Sequence, residues 1–323
     1  MAFFVGIDVS KLTLEACKLC DGKSLHRKFP HSPSGFRALL SWIARDAASH
    51  TVMLAMEATG SYHLPLAHFA HAHDLRVFVL NPTRLKHYAH SQPRRAKTDR
   101  EDARLIATYL SKHHEQLHVY TPPRQAVADL RHLVRRREQL IKMLKQEENR
   151  VRELASDHIL AQSHQRVIHF LTEEKQDVDQ RIDQLLKEDE QLQSAYKRLR
   201  TVPQVGRILA VSLLAEMGDG KAFEKSKNVT AWLGLAPLMQ QSGTSVYKEG
   251  RISHGNSMLR KALYMSALGA MRNGTWEAWL KPHRERGKSG KVLMVALMDK
   301  IARVCWGIMK TQQNFDPKRV FLT

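Results

Sequence analysis

Leu171, Val178, Leu185, Leu192 and Leu199 recur at intervals of seven, with Ile168, Lys175, Ile182, Asp189 and Tyr196 at the alternate position. Such a series demands a long helix with one buried seam, so this stretch cannot belong to a sheet. A related run, Leu130, Arg137, Leu144 and Val151 with Leu133, Leu140 and Leu154, precedes it. Pro122-Pro123 bounds that run upstream, and the two are parted around Ser156 to Ser163. A coiled coil between copies of the chain meets the pattern, with Lys175 and Asp189 setting its register. A helical hairpin within one chain meets it too. The repeat divides the 323 residues into a first domain over 1–155, an oligomerisation segment over 156–198 and a last domain over 199–323.

The repeat is also where the charge is not. The chain carries 51 Lys+Arg against 32 Asp+Glu, net +19, but residues 151–200 hold 8 basic and 10 acidic residues, leaving +21 for the rest. An excess of this size calls for a polyanion, either nucleic acid or an anionic membrane surface. The longest apolar run, Val292 to Met298, is far short of the roughly 20 residues a membrane span needs. The start MAFFVGIDVSK lacks a signal peptide's basic-then-apolar order. Cys17, Cys20 and Cys305 are too few and too scattered for a disulfide framework and fit a reducing cytoplasm. Cys17-x-x-Cys20 has no second pair with which to hold zinc.

The first 120 residues read as α/β. Phe3 to Ile7, Leu12 to Leu19 and Leu25 to Phe29 are three strands in succession, and Pro33-Ser34-Gly35 opens a helix through Phe36, Leu39, Leu40 and Ile43. Val52 to Met56 is a buried strand, a helix follows through Leu64, Ala67 and Phe69, and Leu75 to Leu80 is a further strand. Three hairpin strands followed by alternating helix and strand make a mixed sheet with helices on its faces, the order of a ribonuclease-H-type fold.

Within that frame, Asp8 and Glu57 each close an apolar strand, where a side chain can leave the sheet for a cleft. Thr98 is a good N-cap with Glu101 three residues on, which accounts for Glu101 as a capping residue. Asp99 and Asp102 then share one helix face. Hard oxygen donors without His or Cys suit Mg²⁺ or Mn²⁺, and a pair of such ions can serve displacement at phosphorus. Each acid also has a plainer use, as a turn former or a helix-dipole partner. The basic stretch Arg84, Lys86, Arg94, Arg95, Lys97 and Arg100 adjoins these acids and suits phosphate contact.

In the last third, Val202-Pro203-Gln204-Val205-Gly206 joins two helices as a short hairpin. The polar stretch Gln240 to Ser245 reads as a flexible loop, followed by Arg251, Gly255 and a helix with Arg260 and Lys261. Ser242-Gly243 there could set a hydroxyl against a phosphodiester whose charge the cations neutralise, though Ser-Gly is commonly a simple turn.

Taken in order, several blocks resemble the insertion-sequence-110 family of transposases, relatives of the Piv DNA invertases. They are Gly6-Ile7-Asp8-Val9-Ser10-Lys11, Met56-Glu57-Ala58-Thr59-Gly60, Lys97-Thr98-Asp99-x-x-Asp102-Ala103, Val202-Pro203-x-x-Gly206, Gly234-Leu235-Ala236-Pro237, Gln241-Ser242-Gly243 and Gly255-Asn256-x-x-x-Arg260. Gln204 departs from the pattern, since relatives often have Gly there. The resemblance implies a RuvC-like N-terminal domain with a DEDD metal site at Asp8, Glu57, Asp99 and Asp102. It further implies a mainly helical C-terminal transposase domain with a nucleophilic serine at Ser242. In that family the two domains form a composite site, and a noncoding bridge RNA pairs with donor and target DNA. The expectation is therefore a Mg²⁺-dependent, RNA-guided DNA recombinase of an insertion sequence. It would be a dimer or tetramer in the bacterial cytoplasm, associated with the nucleoid. A RuvC-like structure-specific endonuclease using water, or a nucleic-acid-binding protein without catalysis, are the alternatives.

Overall fold

The computed structural model describes residues 2–20, 23–45, 51–58, 60–92, 98–154, 159–242, 246–252, 255–288 and 290–321, with backbone alone at 2, 20, 238–242, 246–251 and 321. Packing divides the chain into two compact units, Met1–Pro122 and Pro123–Thr323.

In the first unit, β1 (Ala2–Val9), β2 (Thr13–Cys20) and β3 (Lys23–Pro30) form an antiparallel meander. Then come α1 (Pro33–Ala44), β4 (Thr51–Glu57), α2 (His63–His71), β5 (Arg76–Leu80), α3 (Pro82–His90) and α4 (Asp99–His113). The sheet runs β3-β2-β1-β4-β5, with β4 parallel to both β1 and β5. Side-chain alternation sorts its two faces. Phe3, Val5, Ile7 and Val9 pack with Leu54 and Met56 beneath α1 and α2. Phe4, Met53 and Ala55 face the other way, against Ile106, Tyr109 and Leu110 of α4. The expected strands and helices are all present. The basic stretch from Arg84 contains one more helix, α3, which Asn81 caps by accepting from the Thr83 amide at 2.8 Å.

The second unit holds α5 (Gln125–Glu153), α6 (Ala161–Glu188), α7 (Glu190–Leu199), α8 (Arg207–Met217) and α9 (Ser226–Leu233). The hairpin β6 (Leu238–Ser242) and β7 (Val246–Arg251) follows, then α10 (Ser257–Asn273), α11 (Glu277–Glu285), α12 (Gly290–Thr311) and α13 (Pro317–Phe321). The seven-residue series resolves as the hairpin within one chain: α5 and α6 pack antiparallel, and Leu130, Leu140, Leu171, Val178 and Ile182 are buried in one core. The series is not one helix. Asp189 leaves helical geometry at φ −102° and ψ 105°, caps α7 by accepting from the Leu192 amide at 2.8 Å, and holds Arg124 at 2.8 and 3.2 Å. A carboxylate that binds a backbone amide turns the chain, so Asp189 makes a corner where a seam position was expected. Lys175 and Arg137, the other polar seam positions, both bind Asp179, at 3.0 and 2.7 Å, and Arg207 joins them at 2.9 Å. Burial pushes Asp179 up, but the hydrogen bonds from Arg207, Arg137 and Lys175 win and hold it at about 2. Among the described residues, no helix is long and apolar enough to cross a membrane.

Candidate active site

Parallel pairing of Ile7 with Met56 sets Asp8 and Glu57 side by side at the C-terminal edge of the sheet, and alternation turns both toward α4. What brings α4 there is a missing side chain. A Cβ on Gly6 would lie 2.2 Å from the Ala107 amide nitrogen and 2.4 Å from the Ala103 carbonyl oxygen. The helix therefore rides on β1 through Gly6, Ala103 and Ala107, the two alanines fully buried. Its first turn then arrives at the edge that carries Asp8. Thr98 fixes where the helix begins, accepting from the Glu101 amide at 3.2 Å, and the Glu101 carboxylate pairs with Arg104 at 3.1 Å. Asp99 and Asp102 are left for the sheet edge.

The Asp8 carboxyl registers this convergence. It is raised to about 6, first by burial and then by repulsion from Asp102, Asp99, Glu57 and Glu15, in that order. The other three acids of the expected set thus all act on Asp8. The fifth, Glu15, lies directly opposite Asp8 across the β1–β2 pairing. Sequence reasoning missed it, because a residue in the middle of a strand is placed beside Asp8 only by register. Among the described residues, no group of three or more His, Cys, Asp or Glu is close enough to hold one ion. The carboxylates converge without forming a closed cage. Their chemistry still fits a divalent cation: the donors are all oxygen, and a cation offsets the repulsion that adds to burial in lifting Asp8.

Of the expected phosphate contacts, Arg84 and Lys86 on α3 and Arg100 on α4 are exposed. Arg94, Arg95 and Lys97 lie outside the described residues, as does Thr59 of the Glu57 block.

In the second unit, Ser242 is the last residue of β6, paired with Val246 of β7. Gln240 to Ser242 of the expected loop are thus strand, and 243–245 lie outside the described residues. Gly243 lies outside the described residues, as do the side chains of Ser242 and Arg251. Behind the hairpin, Gly255 at φ +110° lets its backbone approach Leu233 and Gly234, where a Cβ would come within 2.6 Å. Arg260 donates to the Leu233 carbonyl at 2.9 Å and Lys261 lies 3.4 Å from Glu138, so both have partners inside the protein besides any phosphate role. Asn256 caps α10, accepting from the Leu259 amide at 3.1 Å. Gln204 sits at φ +67°, a left-handed position that suits Gly, and its carbonyl accepts from Ser266 at 2.8 Å.

Comparison with known proteins gives this site its class. Residues 5–160 match the model of DEDD-type transposases of IS110, described as "Transposase", and residues 196–281 match "Transposase IS116/IS110/IS902 family". The chain is 31% identical over 319 residues to the pilin gene-inverting protein of Moraxella bovis, covering 98% of both chains. It is equally similar, at 31%, to the pilin gene-inverting protein of Moraxella lacunata. To the transposase for insertion sequence element IS1111A of Coxiella burnetii it is 23% identical over 352 residues, covering 96% of this chain and 90% of the relative. This protein is a DNA recombinase of the transposase class. It belongs to the IS110 family, to which the Piv-type inverting proteins are related, and a family defined by its DEDD acids implies a divalent metal.

Proposed function

We propose that this chain moves an insertion sequence by strand transfer through a phosphoserine, with its first unit a RuvC-like domain. The raised Asp8 carboxyl carries the reading: burying like charges together is costly, and a site for divalent cations and a phosphodiester is the use that offsets it. The sheet order β3-β2-β1-β4-β5 supports the RuvC-like assignment. Asp8, Glu57, Asp99 and Asp102 would hold Mg²⁺ or Mn²⁺, which supplies charge neutralisation and polarisation at phosphorus when bound.

The protein's own groups then divide the work. The Ser242 oxygen attacks the phosphodiester. A Ser242 O–P bond forms, the bond from phosphorus to one deoxyribose oxygen breaks, that oxygen takes up a proton, and the serine proton is lost. Because the phosphodiester energy is kept, a hydroxyl of a second strand can attack the phosphoserine, restore the serine and join the strands without ATP. Arg84, Lys86 and Arg100, with Arg94, Arg95, Lys97 and Arg251, would bind phosphates along the strands. A noncoding RNA carried by the element would choose donor and target by base pairing, since the protein's charge attracts any nucleic acid alike.

Trapping tests the serine: wild type should leave DNA covalently attached, and attachment that persists in Ser242→Ala would refute the assignment. Sequencing the nucleic acid that co-purifies tests the guide, for which one discrete noncoding RNA is expected and heterogeneous RNA counts against it.

A further inference from the structure

Close packing leaves a protein interior few voids larger than a water molecule, yet the second unit keeps a cavity of about 470 Å³ among α5, α8 and α10. Val134, Glu138 and Ile141 on α5 follow one another at about one helical turn, as do Met258, Ala262 and Met265 on α10, so each helix turns a face to this space. Small residues keep it open: Gly206, Ser212 and Ala262 stand where larger side chains would fill it. Ile208 and Met265 line it and are 40 and 60% exposed, so the cavity opens to solvent beside them.

Its walls carry polar groups without partners. Ser212 lines the cavity and is only 4% exposed, and among the described residues its hydroxyl makes no hydrogen bond, not even to the carbonyl four residues back that a helical serine commonly takes. The Gln204 side-chain amide lines the same space and likewise has no hydrogen-bond partner among the described residues. Buried polar groups are normally satisfied, so these two await a ligand. A hydroxyl and an amide both donate and accept, which the edge of a nucleobase can answer and an acyl chain cannot.

The charge at the cavity agrees. Arg137, Arg207 and Lys261 line it against Glu138 alone. Asp179 already holds Arg137 and Arg207, which leaves Lys261 for an anion at the mouth. Its ammonium reaches Glu138 only at 3.4 Å and its side chain is 63% exposed, so it can turn to a phosphate.

We infer that this cavity receives one base of a DNA strand, unstacked from its neighbours, with Ser212 and Gln204 at its edge and the adjoining phosphate at Lys261. The volume suits a nucleotide, since ligand sites run to about 300–1,000 Å³. The inference rests on the chain's class as a DNA recombinase and not on the serine or metal chemistry proposed above.

Ultraviolet cross-linking tests it, using the full nuclease-treated chain and a single-stranded DNA oligomer that carries 5-iododeoxyuridine, with adducts mapped by mass spectrometry. Adducts should fall on Met258 or Met265. Ala262→Phe, which fills the cavity, should remove them and weaken oligomer binding about tenfold, the order of losing one bound base, while the melting temperature holds or rises. Ser212→Ala keeps the shape and should weaken binding about threefold at an unchanged melting temperature, which a merely structural hydroxyl would not do. Adducts confined to residues outside the cavity, or oligomer binding unaltered in both variants, would overturn the proposal. A free small molecule as the occupant would overturn it too: oleate or thymidine monophosphate would then raise the melting temperature of wild type but not of Ala262→Phe, and the oligomer would leave Met258 and Met265 unlabelled.

Discussion

Replacing Gly6 by Ala adds one methyl group at the point where α4 lies on β1. The new Cβ would stand 2.2 Å from the Ala107 amide nitrogen and 2.4 Å from the Ala103 carbonyl oxygen. Ordinary contact is about 3.5 Å, so α4 has to retreat by roughly 1.3 Å. Both obstructing atoms belong to the backbone, and no rotamer change relieves them. Overpacking of this kind costs about 1–3 kcal/mol, with the upper end expected here. The retreat also carries Asp99 and Asp102 away from Asp8, and misplacement by about 1 Å costs on the order of 10²-fold in rate. Three measurements belong together: urea denaturation for stability, strand transfer on a DNA substrate for rate, and a carboxyl-carbon NMR titration of Asp8. Stability and rate should both fall, and the Asp8 carboxyl should drop from about 6 toward its ordinary value as the repelling acids withdraw. Ala107→Gly should rescue none of this, because the clash is with backbone. Wild-type stability and rate in Gly6→Ala would refute the reasoning.

The same carboxyl predicts a pH effect. Asp8 is held above its ordinary value of 3.8, so the protein loses stability as pH rises through the interval from there to about 6 and the group ionises. Asp8→Asn should abolish strand transfer yet raise the stability at pH 7 by on the order of 1 kcal/mol, and a melting temperature that falls would count against the crowding argument. Asp179 works in the opposite sense: held down at about 2, it contributes stability above pH 4 that is lost as pH falls toward that value. Asp179→Asn leaves Arg137 and Lys175 without their carboxylate and Arg207 with Asp183 alone, and should cost about 2–3 kcal/mol in urea denaturation at pH 7. Gln204→Gly should stabilise by about 0.5–1 kcal/mol by relieving a left-handed backbone. It should also make Gly269→Ala cheaper, since a Cβ at 269 would meet the Gln204 side-chain oxygen at 2.7 Å. An additive double-mutant cycle would show that the two positions are not coupled.

Much of this molecule is legible along the chain because its determinants are local. Alternation in Phe3 to Val9 and Val52 to Glu57 sets which side chains enter the core and so turns Asp8 and Glu57 to one face. Thr98, followed three residues later by Glu101, sets where α4 begins and therefore that Asp99 and Asp102 share a turn. The gap between the +21 of the flanking parts and the acidic helical segment points to a polyanion before any fold is known.

Tertiary structure decided what depends on a partner distant in sequence. Strand register placed Glu15 opposite Asp8, and a period of two names a face without naming a neighbour. Close approach through Gly6 made Asp99 and Asp102 press on Asp8, whereas a glycine in a strand reads from sequence only as a weak strand former. The heptads show that a seam exists, since an apolar stripe must be covered, but hydrophobic burial is non-directional and does not say by what. Here α5 supplies the cover for α6, and the two share one buried core.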